Sequence, residues 1–237
     1  MARTVTCYFT TVSPWAYIGH ELLLKIAREH ALAVEWKPVN LGEIFPQTGG
    51  LPLAKRPPAR QRYRMLELQR WRDKRGKNFS LHPKHWPFDC TLADRSIIAL
   101  AQSGRDPAAY IGSVFKAVFE EERNCADETV LAEILGANGH DDSSILSSAR
   151  NPQIETAYKS NIGEALAAGV FGSPSYVLDG ELFWGQDRLE LLEDALRSGR
   201  KPHSPDAKQK TAYEITRRDW SSDVCSSDLI VFKDPNI

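Results

Sequence analysis

The sequence predicts a mixed α/β fold in which two distant segments share one sheet and a helical block lies between them. Two observations carry this prediction. The pattern opens as strand, helix, strand within residues 4–39 and closes as strand, strand, helix within residues 175–199. The long segment between them has almost wholly helical periodicity. A rival arrangement is a single α/β layer fold whose short middle strands are hidden in helix-like patterns.

The opening unit rests on residue type and spacing. Residues 4–10, TVTCYFT, are rich in β-branched and aromatic side chains and predict a short buried strand. Pro14 suits the first turn of a helix, where no backbone donor is needed, and apolar side chains recur at helical spacing through residues 15–30. Residues 33–39, AVEWKPV, then predict a second strand.

The middle segment begins with a predicted loop at residues 40–58, because paired glycines and four prolines interrupt any regular pattern there. Helical periodicity then dominates up to about Gly169. Five helices are predicted, near residues 58–75, 92–103, 106–121, 127–136 and 152–168.

The closing unit is a hairpin followed by a helix. Residues 175–178, SYVL, and residues 181–184, ELFW, flank the dipeptide Asp179–Gly180, which is a strong turn signal. RLELLEDALRSG then has the periodicity of an amphipathic helix and ends at Gly199, a residue suited to a C-terminal cap.

This order of elements predicts a thioredoxin-like domain built from residues 1–50 and 168–200, with an all-helical insertion domain at residues 51–167. Residues 201–237 are predicted to be a disordered tail. Within it, residues 218–229 are interpreted as an artefact, because DWSSDVCSSDL is what a widely used sequencing-adaptor oligonucleotide encodes in one reading frame. An ordinary polar tail is the alternative.

Composition and charge exclude several classes of protein. The 30 Lys and Arg residues nearly balance the 31 Asp and Glu residues, so the whole chain has no electrostatic attraction for nucleic acid or an anionic membrane. No apolar run approaches the roughly 18 residues of a membrane span, and no signal peptide is recognised, which predicts a cytoplasmic protein. The four cysteines form no CxxC pair, so neither a metal site nor a dithiol redox centre is predicted, and Cys225 lies in the suspected artefact.

Ser13 is the first candidate for chemistry. It lies between the first predicted strand and the first helix, where free backbone N–H groups and the helix macrodipole favour an anion. Serine is also a favoured N-cap, so a plain structural cap is the alternative.

Two later segments strengthen the case for a site. Ser173–Pro174 directly precedes a predicted strand, where a proline marks a sheet edge, a bulge or a cis bond. An ordinary turn proline is the alternative. Residues 185–188, GQDR, open the final helix and can hold a small charged ligand through backbone N–H groups and a carboxylate, although simple capping would use the same residues.

Five segments together resemble the 2-hydroxychromene-2-carboxylate isomerases, close relatives of the kappa-class glutathione transferases. They read YFTTVSPWAYIGHELL, FPQTGGLPLAKRPP, LHPKHWPFD, GVFGSPSYVLDG and FWGQDRLELLEDAL. The similarity extends from residue 4 to about residue 200, and the order of SPWAY, FGSP and WGQDR is more specific than any one motif. The resemblance implies a thioredoxin domain with a helical insertion, a homodimer, and glutathione as the cofactor.

The resemblance also implies roles for individual residues. Ser13 matches the catalytic serine that hydrogen-bonds the glutathione sulfur. Pro174 matches the cis-proline, and the backbone of Ser173 would pair with the cysteinyl amide of glutathione as a short added strand. Asp187 would take the ammonium group of glutathione. Gln186, Asp187 and Arg188 match the cluster at the γ-glutamyl end, and Trp184 and Gly185 are further expected cofactor-binding residues.

The sequence departs from the family at Gly50, where relatives often carry an asparagine, and Lys55 is expected to supply a contact to the glycyl carboxylate instead. A solvated loop lysine is the alternative there. His82 and His85 make a weak metal site, because intervening prolines and the lack of a matched carboxylate argue against one. The residues expected to line the substrate pocket are Trp15, Lys84, His85 and Trp86.

Residues 55–75 contain nine Lys and Arg residues, a density that invites a nucleic-acid hypothesis. Interleaved Met65, Leu66, Leu68 and Trp71 favour an amphipathic helix with a solvated basic face instead. Part of that face is a candidate to attract an aromatic carboxylate. No nucleic-acid or membrane partner is therefore expected.

The functional hypothesis implied by the resemblance is a glutathione-dependent cis–trans isomerase of aromatic degradation. A kappa-like glutathione transferase that conjugates electrophiles is the alternative. A thiol–disulfide oxidoreductase is disfavoured, because Ser13 and Ala16 occupy both positions of a CxxC pair. A non-enzymatic glutathione-binding module is the remaining hypothesis.

Overall fold

The computed structural model describes residues 3–204; residues 205–237, including the suspected artefact and Cys225, lie outside that range. Four strands form one sheet in the order β2-β1-β3-β4. They are β1 at Thr4–Phe9, β2 at Ala33–Pro38, β3 at Ser175–Leu178 and β4 at Glu181–Trp184.

Strand β1 lies between partners from two distant parts of the chain. It pairs in parallel with β2 and antiparallel with β3, so that Cys7 faces Trp36 on one side and Tyr176 on the other. Strands β3 and β4 form the predicted hairpin around Asp179–Gly180. The two distant segments therefore share one sheet, as the sequence predicts.

Nine helices accompany the sheet within the described residues, together with short 3₁₀ turns at Leu53–Lys55 and Gln186–Arg188. The predicted fold class, a thioredoxin-like fold with a helical insertion, is confirmed, whereas the domain boundaries stay a prediction. The helices are α1 at Pro14–Glu29, α2 at Leu41–Thr48, α3 at Pro58–Lys74, α4 at Thr91–Gln102, α5 at Ala108–Phe119, α6 at Glu128–Ala137, α7 at Asp142–Ala149, α8 at Pro152–Ala167 and α9 at Leu189–Ser198.

Helix α2 corrects the prediction of a loop over residues 40–58. The Asn40 side chain accepts a hydrogen bond from the Gly42 amide at 2.9 Å and starts the helix, and Gly49 ends it in the left-handed conformation at φ 73°. Ile44 is fully buried. Burial of that side chain outweighs the local signal of Pro46 inside the helix, because tertiary packing supplies most helical stability.

Helix α7 is a second element that the sequence reasoning missed. The Asp141 side chain accepts a hydrogen bond from the Ser144 amide at 3.2 Å at its start, while Ile145, Leu146 and Ala149 are buried. Its eight residues are too few for a periodic pattern to stand out.

One aromatic cluster joins the sheet to the helical insertion. Tyr17 of α1 stacks on Phe119 of α5 with ring centroids 5.1 Å apart, and Phe115 lies 6.3 Å from Phe9 of β1. The Tyr17 hydroxyl donates a hydrogen bond to Glu120 at 2.7 Å. The first turn of α1 is thereby packed against both parts of the fold, and this turn carries the candidate site.

Candidate active site

Ser13 is the N-cap of α1, and it also contacts the segment that precedes β3. Its hydroxyl oxygen accepts a hydrogen bond from the Ala16 amide at 3.3 Å and donates to the Ser173 carbonyl at 3.4 Å. Ser13 is 7% exposed. The capping role is therefore real, and the same hydroxyl lies beside the Ser173–Pro174 segment.

The Ser173–Pro174 peptide bond is cis, as the resemblance implies. The Ser173 hydroxyl accepts a hydrogen bond from the Thr10 amide at 3.3 Å, and the Pro174 carbonyl accepts one from the Gly185 amide at 2.9 Å. These bonds bring three segments that are far apart in the sequence to one place: the end of β1, the start of β3 and the turn after β4.

A cavity of about 490 Å³ opens beside this junction. The strand side of the cavity is built mostly from residues that the sequence analysis had selected, and helix α3 with the turn before it forms the other side. The lining residues are Trp15, Arg56, Ala59, Arg60, Tyr63, Arg64, Glu67, Trp71, Ser173, Trp184, Gly185, Gln186, Asp187 and Arg188.

Residues 185–188 are held by specific contacts. Gln186 is 2% exposed, and its side-chain oxygen accepts hydrogen bonds from the Arg75 guanidinium at 3.3 and 3.4 Å. Asp187 and Arg188 pair with each other at 2.6 Å. Gly185 has φ 99°, and a Cβ there would lie 2.5 Å from the Asp187 carboxylate, so the turn requires glycine.

Six of the selected residues are not part of the cavity lining: Ser13, Pro174, Trp86, Lys55, Lys84 and His85. Lys55 is exposed in a short 3₁₀ turn, and its neighbour Arg56 lines the cavity in its place. Lys84 is exposed and its backbone amide donates to Glu122 at 3.2 Å, while the half-buried His85 does not reach the cavity wall. The expected contacts of Lys55, Lys84 and His85 with ligands stay predictions.

Trp86 lies behind the cavity wall. Its indole N–H donates to the Val12 carbonyl at 2.8 Å, and its ring lies 5.2 Å from the guanidinium carbon of Arg64. Trp86 therefore contacts an arginine that lines the cavity. It is also hydrogen-bonded to Val12, the residue directly before Ser13.

Helix α3 has the predicted amphipathic character in part, since Met65 and Trp71 pack against the core. Leu68 is its one buried residue, whereas Leu66 is 48% exposed and Tyr63 is 57% exposed. Arg60 and Arg64, four residues apart, lie on the side that faces the cavity. The four-residue spacing predicts that the two arginines share one side of the helix. It does not predict that this side faces a cavity and not open solvent.

Asp94 is a buried acid that the sequence reasoning missed. It is fully buried and accepts hydrogen bonds from the Thr10 hydroxyl at 2.9 Å, the Thr11 amide at 2.9 Å and the Thr11 hydroxyl at 2.7 Å. Burial raises the pKa of Asp94 to about 6, against the lowering effect of these hydrogen bonds. Its position on the same side of α4 as Ile97 and Ile98 was the signal that could have revealed it.

The described cysteines do not supply a reactive thiol. Burial raises the pKa of Cys7 and Cys90 well above the usual range, and raises that of Cys125 to about 12. Among residues 3–204 no group of three or more His, Cys, Asp or Glu side chains is arranged to hold a metal ion. Within the same range, no helix has the length and apolar character needed to span a membrane.

Residues 4–197 match the DSBA-like thioredoxin domain family. The chain belongs to this family. This DSBA-like chain is also similar to a 2-hydroxychromene-2-carboxylate isomerase from Sphingobium xenophagum, with 26% identity over 83% of this chain and 99% of the relative. The isomerase of the same name from Pseudomonas putida is 28% identical over 81% of this chain and 93% of the relative.

Solved structures agree with these relationships. A 2-hydroxychromene-2-carboxylate isomerase superposes on the DSBA-like chain with a TM-score of 0.71 and 27% identity, over 82% of this chain and 95% of that one. The cytosolic disulfide reductase DsbM from Pseudomonas aeruginosa, solved with GSH, gives a TM-score of 0.61 at 18% identity, over 82% and 99% of the two chains. At this lower identity, the similarity to DsbM shows a shared fold and nothing further. The resemblance noted from the motifs is thus confirmed.

Proposed function

We propose that this protein is a glutathione-dependent cis–trans isomerase that interconverts 2-hydroxychromene-2-carboxylate and trans-o-hydroxybenzylidenepyruvate, or a closely related aromatic carboxylate. The observation that carries the proposal is the cavity in which the Ser173–Pro174 segment and residues 184–188 meet beside Ser13. The names of the similar isomerases support the reaction type.

The residues around the cavity fit a glutathione molecule. The Ser173 backbone lies two residues before β3 and borders the cavity, where it would pair with the cysteinyl amide. Asp187 provides a carboxylate for the ammonium group, and Arg56 and Arg60 provide guanidinium groups for the glycyl carboxylate in place of Lys55. A volume of about 490 Å³ lies within the usual range for a small-molecule site.

When bound, glutathione would supply a thiolate nucleophile for reversible cis–trans isomerisation of the conjugated double bond, without being consumed. Ser13 holds that sulfur as an anion, because its hydroxyl can turn from the weak bond with Ser173 and donate to the sulfur. The positive end of the α1 dipole acts in the same direction, since a helix N-terminus favours negative charge. Trp15 and Trp71 give the cavity apolar surface for the aromatic ring.

The proposal is tested by a thermal-shift titration with glutathione, followed by an isomerisation assay at substoichiometric glutathione. We expect a rise in Tm with glutathione concentration and continued turnover without loss of the thiol. An unchanged Tm at millimolar glutathione would contradict the proposed cofactor. Stoichiometric consumption of glutathione would instead identify the transferase activity of the alternative hypothesis.

We also propose a homodimer in the cytoplasm, on the basis of the resemblance. Light scattering after size-exclusion chromatography tests the first point, because one chain has a mass of 26.6 kDa and a dimer has twice that value. Cell fractionation tests the second. A monomer mass at micromolar concentration, or recovery outside the cytoplasmic fraction, would refute the respective proposal.

A further inference from the structure

We propose that Arg64 is the specificity-determining residue that binds the carboxylate of the aromatic substrate, and that Trp86 is the positioning residue that holds it. The inference rests on the proposed function. It adds a subsite for the second ligand, on the helix wall of the cavity and away from residues 184–188.

Arg64 has no acidic partner among the residues that the structure describes. Its recorded polar contact runs from Nη1 to the Met65 sulfur at 3.8 Å, which is a weak acceptor. Two arginines farther along the chain are paired: Arg70 with Glu67, and Arg75 with Glu190 at 3.7 Å. Arg64, like Arg56 and Arg60 on the same wall, instead lines the cavity without a counter-charge.

The surroundings make this unpaired charge costly. Arg64 is half-buried, and both its burial and the nearby charge of Arg56 lower its pKa to about 10. Arg60 lies one helical turn before Arg64 on the same wall, and like charges at that spacing repel. An anion in the cavity would relieve both effects, because it supplies the missing partner.

The charges that line the cavity indicate how many carboxylates it takes. Four arginines and two acids line it, and both acids already have arginine partners: Glu67 with Arg70, and Asp187 with Arg188. The arginines left without a carboxylate are Arg56, Arg60 and Arg64. Glutathione has two carboxylates, and the proposed function places its γ-glutamyl carboxylate at residues 185–188. Its glycyl carboxylate therefore remains for the arginine wall. Three arginines there leave room for one further carboxylate, which we expect from the substrate.

Trp86 explains why Arg64 is assigned to the substrate. The guanidinium carbon lies 5.2 Å from the centroid of the Trp86 ring, within the range of a cation–π contact. The Trp86 indole is bonded to the Val12 carbonyl, directly before Ser13. A single chain of contacts therefore sets the position of Arg64 relative to the serine that holds the sulfur, which suits the residue for orienting the molecule that the sulfur attacks.

The test compares binding of trans-cinnamate and its neutral methyl ester to glutathione-saturated protein by titration calorimetry. We expect the wild-type protein to prefer the carboxylate, and Arg64→Gln to weaken cinnamate binding by about 10- to 100-fold with little change for the ester. Arg62→Gln is the matched control, since Arg62 is exposed on the same helix and does not line the cavity. Arg64→Lys should retain part of the preference, because it keeps the charge and loses the planar fork.

Three results would overturn the subsite. The wild-type protein would bind cinnamate no better than its methyl ester, or Arg64→Gln would still prefer cinnamate, or Arg64→Gln would lose affinity for both ligands equally. A smaller glutathione-induced rise in Tm for Arg64→Gln would place this side chain in the glutathione site instead. Trp86→Leu should reduce the preference for cinnamate when Arg64 is present and have no further effect in the Arg64→Gln background. Because glutathione binding is read separately, failure of the cofactor proposal is distinguishable from failure of the subsite.

Discussion

The buried carboxylate of Asp94 accepts two hydrogen bonds from Thr11, one from the backbone amide at 2.9 Å and one from the hydroxyl at 2.7 Å. Thr11 lies two residues before Ser13, and Asp94 belongs to α4 of the helical insertion. The Tyr158 hydroxyl of α8 donates to the same carboxylate at 3.3 Å. The helical insertion therefore holds the segment that carries the candidate serine.

Replacing Asp94 with asparagine should change how stability depends on pH. The pKa of Asp94 rises from 3.8 to about 6 on folding, so the folded state binds this proton more tightly than the unfolded chain. The contribution of Asp94 is greatest below about pH 4 and is lost as the pH rises to about 6. Between pH 4.5 and 7, the free energy of unfolding of the wild type should fall by about 2 kcal/mol relative to Asp94→Asn.

Urea unfolding at several pH values measures this difference. Asp194→Asn is the control, because Asp194 is exposed on α9 and its replacement should leave the pH dependence nearly unchanged. Parallel pH profiles for wild type and Asp94→Asn would show that Asp94 has the same proton affinity in both states.

Ser13→Ala should lower kcat of the proposed isomerase by about 10- to 100-fold, because a hydrogen bond to a charged sulfur is lost. It should also reduce the thiolate absorbance of bound glutathione at neutral pH. Asn151→Ala is the matched control: it removes the N-cap bond to the Gln153 amide of α8, at a stability cost of about 1 kcal/mol, without touching the cavity. Equal turnover in Ser13→Ala and Asn151→Ala would remove Ser13 from the mechanism.

Gly19→Ala should destabilise the fold by about 1 to 3 kcal/mol, although alanine is the better helix former. A Cβ at this position would lie 2.8 Å from the Gln186 Cβ and 2.8 Å from the Tyr176 hydroxyl, so α1 must move away from the cavity wall. Gly163→Ala provides the contrast, because Gly163 is exposed in α8 and nothing lies within 4 Å of its added Cβ. Thermal denaturation should show a lower Tm for the first variant and an unchanged or higher Tm for the second.

The described thiols should be unreactive in the folded protein. In a Cys225→Ser background, which leaves Cys7, Cys90 and Cys125, a thiol reagent should label the native protein slowly and all three sites after unfolding. The reason is that burial raises the pKa of each of these thiols and little thiolate exists at neutral pH. Rapid labelling of one native thiol, or reduction of insulin by the purified protein, would support the oxidoreductase hypothesis instead.

Local chemistry was enough to predict much of this fold. Strand β1, the hairpin around Asp179–Gly180, the cap at Ser13 and the helix stop at Gly199 all depend on side chains within a few residues of each other. Their steric preferences and short-range hydrogen bonds are encoded in the nearby sequence. The family and the residues on the strand side of the site could be predicted for the same reason, because they lie in short contiguous motifs.

Contacts between distant segments decided the rest. Helix α2 forms because Ile44 is buried, and Arg64 lines a cavity and not a solvated face because α3 lies opposite residues 184–188. The Ser13 hydroxyl meets a carbonyl 160 residues later in the chain, and Asp94 meets a threonine 83 residues earlier. Burial and charge pairing depend on which surfaces meet in three dimensions, and no local pattern specifies that.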